Sequence, residues 1–389
     1  MIKRGLPVWL MLVIAAACSQ PEPLPLPDEV AAKENITVIG PEATPAHTLS
    51  LHREVAFGDT DDVLINRLFT GFSDDSDRFY LLDAAEHTIH VYNSDGYHLK
   101  TLGGDGEGPG EFRGLGDARI VGDTMWVLDR NLRRVSRFNL SSLSFEKAFA
   151  LPADLEFPGE AFRYPASIWA VDEHSIVVEY RTAISPLDAQ GVDRTIIGVL
   201  LEPETGEVMA FPFYEFRNND VIVDLNEGRA SMMIPPYGRS SLIQMQDGEI
   251  VYAWSEHALI EFYNREGVFT GGFFHHTERI PLNRSEVIAE YADRGEPWTR
   301  MIRNAEMPEH WPAIRSVVAD DAGRIWFSVV TDDEETYTWR VADRDGALLG
   351  EIVRPRGHRI THIQNGYLYS VEESEEGLPH VVRYRIEFG

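Results

Sequence analysis

The sequence predicts an all-β fold, a six-bladed β-propeller, from three observations. A turn residue, one variable residue, an apolar residue and then an aromatic or β-branched one recur six times along the 389 residues. Five copies are followed by an alternating run and a second tight turn, the signature of hairpins joined in series. The last copy leaves room for three strands only, while a stray strand precedes the first complete unit, as in a ring that closes on its own two ends.

Taken in chain order, residues 1–17 come first: a short basic start at Lys3 and Arg4, then an apolar stretch ending Ala15-Ala16-Ala17. This is the anatomy of a secretory signal and is too short to span a bilayer as a helix. The one cysteine of the chain, Cys18, follows directly. The segment resembles a bacterial lipoprotein signal, with Ala15 where leucine is usual. The resemblance implies that Cys18 is lipidated and becomes the mature N-terminus, anchoring the protein to the cell envelope. Ser19 in place of an aspartate points to the outer membrane, facing the periplasm or the cell surface. The alternative is a plain cut after Ala17 that leaves a secreted protein with a free thiol. Residues 18–48 carry prolines at 21, 23, 25, 27, 41 and 45 and read as an extended tether.

Residues 49–389 are the propeller. Residues 50–57 form the stray strand, which the closure argument assigns as the outer strand of the sixth blade. The six copies are Asp77-Arg-Phe-Tyr80, Asp123-Thr-Met-Trp126, His174-Ser-Ile-Val177, Gly248-Glu-Ile-Val251, Gly323-Arg-Ile-Trp326 and Gly366-Tyr-Leu-Tyr369. Their last positions are spaced by 46, 51, 74, 75 and 43 residues. A four-stranded blade needs about 40–50, so two blades are enlarged by insertions. One of these, residues 281–312, reads as a small helical insertion between blades 4 and 5. Asn283 or Ser285 caps a first helix with Val287, Ile288 and Tyr291 on one face, Gly295 breaks it, and Pro297 opens a second. Trp298, Met301, Ile302 and Trp311 then either pack on the propeller or cover the mouth of its channel.

The stretch Phe79-Tyr-Leu-Leu-Asp83, Ile89-His-Val-Tyr92, Asp95-Gly96 and Leu102-Gly-Gly-Asp-Gly-Glu-Gly-Pro-Gly-Glu-Phe112 resembles the NHL repeat and the related TolB-like six-bladed propellers of bacterial lipoproteins. The resemblance is strong over residues 75–140, recognisable over 240–388 and weak over 150–235. It implies a scaffold that hosts unrelated functions, among them calcium-dependent lactonases and a zinc-dependent lyase, whose metal-binding sets find no match here.

Charge and motif narrow the function. With 35 basic and 63 acidic residues, the net charge of −28 argues against a nucleic-acid partner. One cysteine excludes a disulfide framework and a multi-thiolate metal site within the chain. The glycines at 103–110 are followed by Glu111-Phe-Arg and a strand rather than by Gly-Lys-Ser/Thr and a helix, so they read as a blade connector and not a phosphate loop. Acidic groups at Asp59/Asp61/Asp62, Asp74/Asp75/Asp77, Asp332 to Glu335 and Glu372 to Glu376 fall at turns and lack the EF-hand order. No cofactor is expected, and calcium is the metal such turns would suit. His358 and His362 lie on a strand, about 13 Å apart at that spacing and too far for one zinc ion; His275 and His276 point to opposite faces.

The ligand-binding candidates are arginines. The first strands of five of the six blades are read as beginning with Arg67, Arg119, Arg239, Arg315 and Arg359, with Tyr237 and His362 on the same strands. Guanidiniums converging on a channel mouth would suit a carboxylate, sulfate or phosphate; alternatively each pairs with a neighbouring acidic loop. The reading is a binding platform for a protein or an anionic small molecule, with no catalysis indicated. The alternatives are a calcium-dependent lactonase or hydrolase with its site in the channel, and a structural component of an envelope complex with an exposed apolar rim.

Overall fold

The computed structural model describes residues 25–58, 63, 65, 67–158, 162–183, 194–226, 229–375 and 377–389. Residues 1–17, Cys18, the head of the tether and the acidic group Asp59, Asp61 and Asp62 lie outside the described residues. The chain divides into two compact units, residues 1–34 and 35–389. The described part of the first carries one helical turn, α1 (Asp28–Ala31). The second is the propeller.

Two strands, β1 (Ile36–Ile39) and β2 (Leu49–Phe57), precede the blades. Blade 1 is β3 (Leu68–Ser73), β4 (Phe79–Asp83), β5 (Thr88–Tyr92) and β6 (His98–Gly103). Blade 2 is β7 (Leu115–Val121), β8 (Thr124–Asp129), β9 (Arg134–Asn139) and β10 (Ser144–Ala150). Blade 3 is β11 (Arg163–Asp172), β12 (Ser175–Thr182), β13 (Thr195–Leu201) and β14 (Val208–Arg217). A hairpin, β15 (Ile222–Asn226) and β16 (Arg229–Met233), leads into blade 4: β17 (Ser241–Gln246), β18 (Glu249–Trp254), β19 (Leu259–Tyr263) and β20 (Phe269–His275). Helices α2 (Arg284–Glu290) and α3 (Trp298–Asn304) precede blade 5: β21 (Ile314–Ala319), β22 (Ile325–Val330), β23 (Thr336–Ala342) and β24 (Leu348–Pro355). Blade 6 has β25 (Arg359–Gln364), β26 (Tyr367–Glu373) and β27 (Pro379–Phe388), with β2 as its outer strand.

The repeat has a packing cause. Successive side chains of a strand point to opposite faces, and each blade is covered on both faces by its neighbours. In β4, Phe79 and Leu81 enter the core between blades 6 and 1, while Tyr80 and Leu82 enter the core between blades 1 and 2. In β22, Ile325 and Phe327 face blade 4 and Trp326 faces blade 6. An apolar residue followed by a large aromatic is therefore what a second strand needs. In blades 1 and 5 the aromatic also donates to a buried carboxylate. Asp74 accepts from the Tyr80 hydroxyl at 2.9 Å and from Arg78 Nε at 2.7 Å, and Asp320 accepts from Trp326 Nε1 at 2.9 Å and Arg324 Nε at 2.6 Å.

Ring closure follows the sequence expectation: β2 pairs antiparallel with β27 from Leu49↔Phe388 to Phe57↔Val381. The segment read as tether is shorter than expected, because β1 pairs in parallel with β20 of blade 4, Ile36 opposite Gly272. Ala46 N–H and His47 N–H then bond to Leu348 O and Leu349 O of blade 5 before β2 joins blade 6. Residues 35–57 thus strap the outer edges of three consecutive blades, burying edges that would otherwise be open to pairing. The hairpin β15–β16 is the second element not expected from the sequence.

The insertion forms as two short helices. Asn283 Oδ1 accepts from Ser285 N–H at 3.1 Å, making Asn283 the cap. Val287, Tyr291 and Ile302 pack with Tyr237, and Ile222 and Met233 of the hairpin pack against them. Arg300 reaches across to Asp224 of β15 at 2.6 Å. Met301 is buried, whereas Trp298 is exposed rather than part of the packed face.

His275 at the end of β20 is fully buried and its Nε2 lies 2.8 Å from Gly346 O of blade 5. Burial lowers its pKa to about 4. An unfolded histidine titrates near 6.5, so the folded state's refusal of that proton adds stability that is full above about pH 6.5 and fades as pH falls towards 4. We expect His275→Gln to flatten the fall in urea midpoint between pH 7 and pH 5, by the equivalent of roughly 2 kcal/mol; an unchanged slope would show that the histidine does not carry it.

Candidate functional site

All six inner strands line one axial channel of about 800 Å³. They enter on the face that carries the hairpin and the helical insertion and end at the tight turns into the second strands. At the turn end the lining is acidic, with Asp75, Asp172, Glu173, Asp247 and Asp321. Deeper in stand Arg119, Arg181, Arg359 and His362.

Arg119 is the most rigidly presented of these. Its guanidinium lies 4.2 Å over the Trp169 ring of the next blade. Nη1 donates to Asp117 Oδ1 at 2.6 Å and to Ala118 O at 2.7 Å. Asp117 is buried and is itself fixed by Ile168 N–H at 3.2 Å. Trp169 is fixed in turn, its Nε1 donating to Glu179 at 2.6 Å, and Glu179 also pairs with Arg181 at 3.3 Å. Arg119 Nε and Nη2 have no hydrogen-bond partner among the described residues. A flat, oriented donor edge of this kind is suited to a planar or tetrahedral oxyanion.

His362, on β25 of blade 6, lines the same channel. Gln364 Nε2 donates to Asp75 Oδ1 at 3.3 Å, which turns Gln364 Oε1 towards His362 Nε2 at 2.9 Å and Ser73 Oγ at 3.1 Å. An amide oxygen only accepts, so Nε2 carries the ring proton and Nδ1 is the acceptor. Burial lowers the pKa of His362 to about 4, helped by the charge on Arg119, and the ring is neutral at pH 7. Ser73 Oγ lies 3.1 Å from Nε2, but with the proton on that nitrogen the pair is not arranged as nucleophile and base.

A second concavity, about 530 Å³, opens on the entry face between the hairpin and the insertion. Its apolar lining includes Ile222, Pro235, Tyr237 and Pro308; its charged lining is Asp220, Arg239, Glu256, Arg279, Glu306 and Glu309. Glu256 receives Arg239 Nε and Arg279 Nη2 together. Burial alone would raise the Glu256 carboxyl, but the two guanidiniums outweigh it and hold it below its usual range.

The expected arginine ring is therefore divided. Arg119, Arg359 and His362 line the channel, while Tyr237 and Arg239 line the separate groove. Arg67 Nη2 is bound to Ala84 O at 3.0 Å and Arg315 Nη1 to Gly238 O at 3.2 Å. The five do not share one mouth, because only Arg359 opens its strand and Arg119 is the fifth residue of β7. Arg239 is held by Glu256, the Tyr237 carbonyl at 3.0 Å and the His310 carbonyl at 3.1 Å, as the alternative of pairing with nearby acidic groups foresaw. Trp169, Gln364, Glu256 and Arg279 were not singled out from sequence. The glycine connector offers no anion cradle: Glu111 folds back on Gly108 N–H at 2.8 Å, and Arg134 Nη2 bonds to Gly108 O at 3.0 Å and Glu111 O at 2.7 Å. Among the described residues no three His, Cys, Asp or Glu side chains are grouped to hold a metal ion, and no helix is long and apolar enough to cross a membrane.

Residues 56–177 match a family model described as a 6-bladed beta-propeller. No curated protein matches the chain in sequence. Among solved structures, an exported protein of Bacteroides fragilis is similar at 12% identity and a TM-score of 0.52, covering 90% of this chain and 99% of its own. A member of the DUF4221 family from Bacteroides vulgatus is similar at 12% identity and a TM-score of 0.52, covering 88% and 99%. At such identities the likeness is one of fold. Matched over its first blades and superposable on these structures through nearly its whole length, the chain is a six-bladed β-propeller of four-stranded antiparallel blades.

Proposed function

We propose that the protein is a lipid-anchored binding platform at the bacterial cell envelope, whose axial channel holds a small molecule with an anionic group. One observation carries this: Arg119, stacked on Trp169 and pinned by Asp117, presents an uncommitted donor edge inside a channel of about 800 Å³. A preorganised guanidinium binds an oxyanion without the cost of ordering a long side chain. Neutral His362, lining the same channel, offers an acceptor for a hydroxyl or amide of the same ligand. The leader and Cys18 support the envelope address, and the likeness to an exported protein agrees with it. A protein ligand on the entry face is compatible with the same platform.

The test is a native mass spectrum of mature protein purified without chelator, before and after EDTA. The expected result is an anionic adduct that persists in EDTA and is lost in Arg119→Lys and Arg359→Gln, the lysine keeping charge but not the flat donor edge. An adduct unaffected by both substitutions would overturn the assignment. A stoichiometric divalent ion removed by EDTA would instead favour the metal-dependent lactonase or hydrolase.

A further inference from the structure

Arg239, expected from sequence to help hold an anion at the channel mouth, instead lines the groove between the hairpin and the insertion, and that groove has the opposite preference. Arg239 and Arg279 share one carboxylate, Glu256, and their remaining bonds go to the carbonyls of Tyr237, His310 and Glu256 and to His257 Nδ1. Asp220, whose Oδ2 accepts the backbone N–H of Arg239 at 2.8 Å, offsets the one positive charge that two guanidiniums on one carboxylate leave over. Glu306 and Glu309 remain. Both are exposed, both line the groove, and neither has an ion-pair partner among the described residues. Beneath them the wall is apolar, formed by Ile222, Pro235 and Pro308. Tyr237 lines it too, only 3% exposed, with a hydroxyl that has no hydrogen-bond partner. The hydroxyl is itself buried, so what the groove presents is an apolar wall and two unpaired carboxylates at the rim.

We infer that this groove docks a lysine or arginine side chain of a partner protein, its methylenes against the apolar wall and its cationic head between Glu306 and Glu309. The inferred occupant follows from charge complementarity and from the apolar lining next to the carboxylates: a long apolar stem ending in a cation is the side-chain type that buries methylenes while keeping its charge at a rim. The site lies on the entry face, apart from the channel residues Arg119 and His362, so each can fail independently of the other.

Because the whole chain carries a net charge of −28, any basic probe will be attracted to it at long range. The experiment must separate that from docking. Trilysine is titrated calorimetrically into the mature full-length protein at about 0.15 M salt, where long-range attraction is screened beyond about 8 Å. The double variant Glu306→Gln/Glu309→Gln is compared with Asp332→Asn/Glu334→Gln, which removes the same charge from an exposed loop of blade 5. Binding about fivefold or more weaker in the groove variant, and changed less than about twofold in the control, is the expected result. Equal weakening in both, or none in either, would overturn the site. Free n-butylammonium binding as tightly as trilysine would overturn docking of a protein segment. Both variants alter exposed side chains, so matching thermal midpoints are expected and keep the comparison interpretable.

Discussion

Deleting residues 49–57 is expected to abolish cooperative unfolding of the propeller. The strand lost is β2, which supplies every backbone partner of the outer edge of β27. With it goes Phe57, fully buried between Phe79 at 4.5 Å, Tyr92 at 5.9 Å and Tyr369 at 6.2 Å. This aromatic cluster is the core between blades 6 and 1, where the two ends of the chain meet. Truncating one buried phenylalanine to alanine costs about 3–5 kcal/mol, against about 5–15 kcal/mol for the whole of a typical domain. Removing the strand adds an exposed edge that invites pairing between molecules. Urea unfolding should therefore lose its single sharp transition, and the protein should self-associate on a sizing column. The point variant Phe57→Ala should keep the transition and lower its midpoint by the equivalent of about 3–5 kcal/mol. A deletion variant that stays monomeric with an unchanged midpoint would show that the ring is closed by something other than this strand.

Asp320→Ala is expected to cost about 3–5 kcal/mol although it removes no apolar surface. The carboxylate is fully buried and accepts from Ala322 N–H at 3.0 Å, Arg324 N–H at 2.8 Å, Arg324 Nε at 2.6 Å and Trp326 Nε1 at 2.9 Å. Alanine leaves a half-buried guanidinium and a buried indole N–H without their acceptor. Asp320→Asn keeps one oxygen and should cost less. Asp74 holds the same position in blade 1, so Asp74→Ala should behave alike, and the two distant changes should add. Urea midpoints measure all three; a cost below about 1 kcal/mol for Asp320→Ala would mean that the turn reorganises and water replaces the carboxylate.

These two residues also explain what was legible in the sequence. Tyr80 and Trp326 stood out because the second strand of a blade is packed on both faces, a demand local enough to leave a repeating pattern. The closing strand was legible by arithmetic, since the last repeat was one strand short. Ile36–Ile39 was not, because a four-residue strand among prolines has no periodicity to read and its partner, β20, is more than 230 residues away. The hairpin β15–β16 did carry a signal, alternation around Asn226-Glu-Gly228, but it fell in the stretch where the repeat itself is weakest.

The candidate site was half legible. Arg119, Arg359 and His362 could be placed on inner strands from the repeat alone. What Arg119 does depends on Trp169, 50 residues on and in the next blade, and on Asp117 buried beneath it. Arg239 looked equivalent in sequence, yet Glu256 and Arg279 from neighbouring strands and loops neutralise it. Strand register is a local property; the partner that frees or occupies a guanidinium is set by how blades pack.

The most direct test of the central claim is a crystal structure of mature protein purified without chelator. Electron density is expected for a small molecule in the axial channel, with an oxyanion group on Arg119 Nε and Nη2 and a donor facing His362 Nδ1. A channel holding ordered water alone, in crystals of protein whose mass spectrum shows a bound adduct, would contradict it.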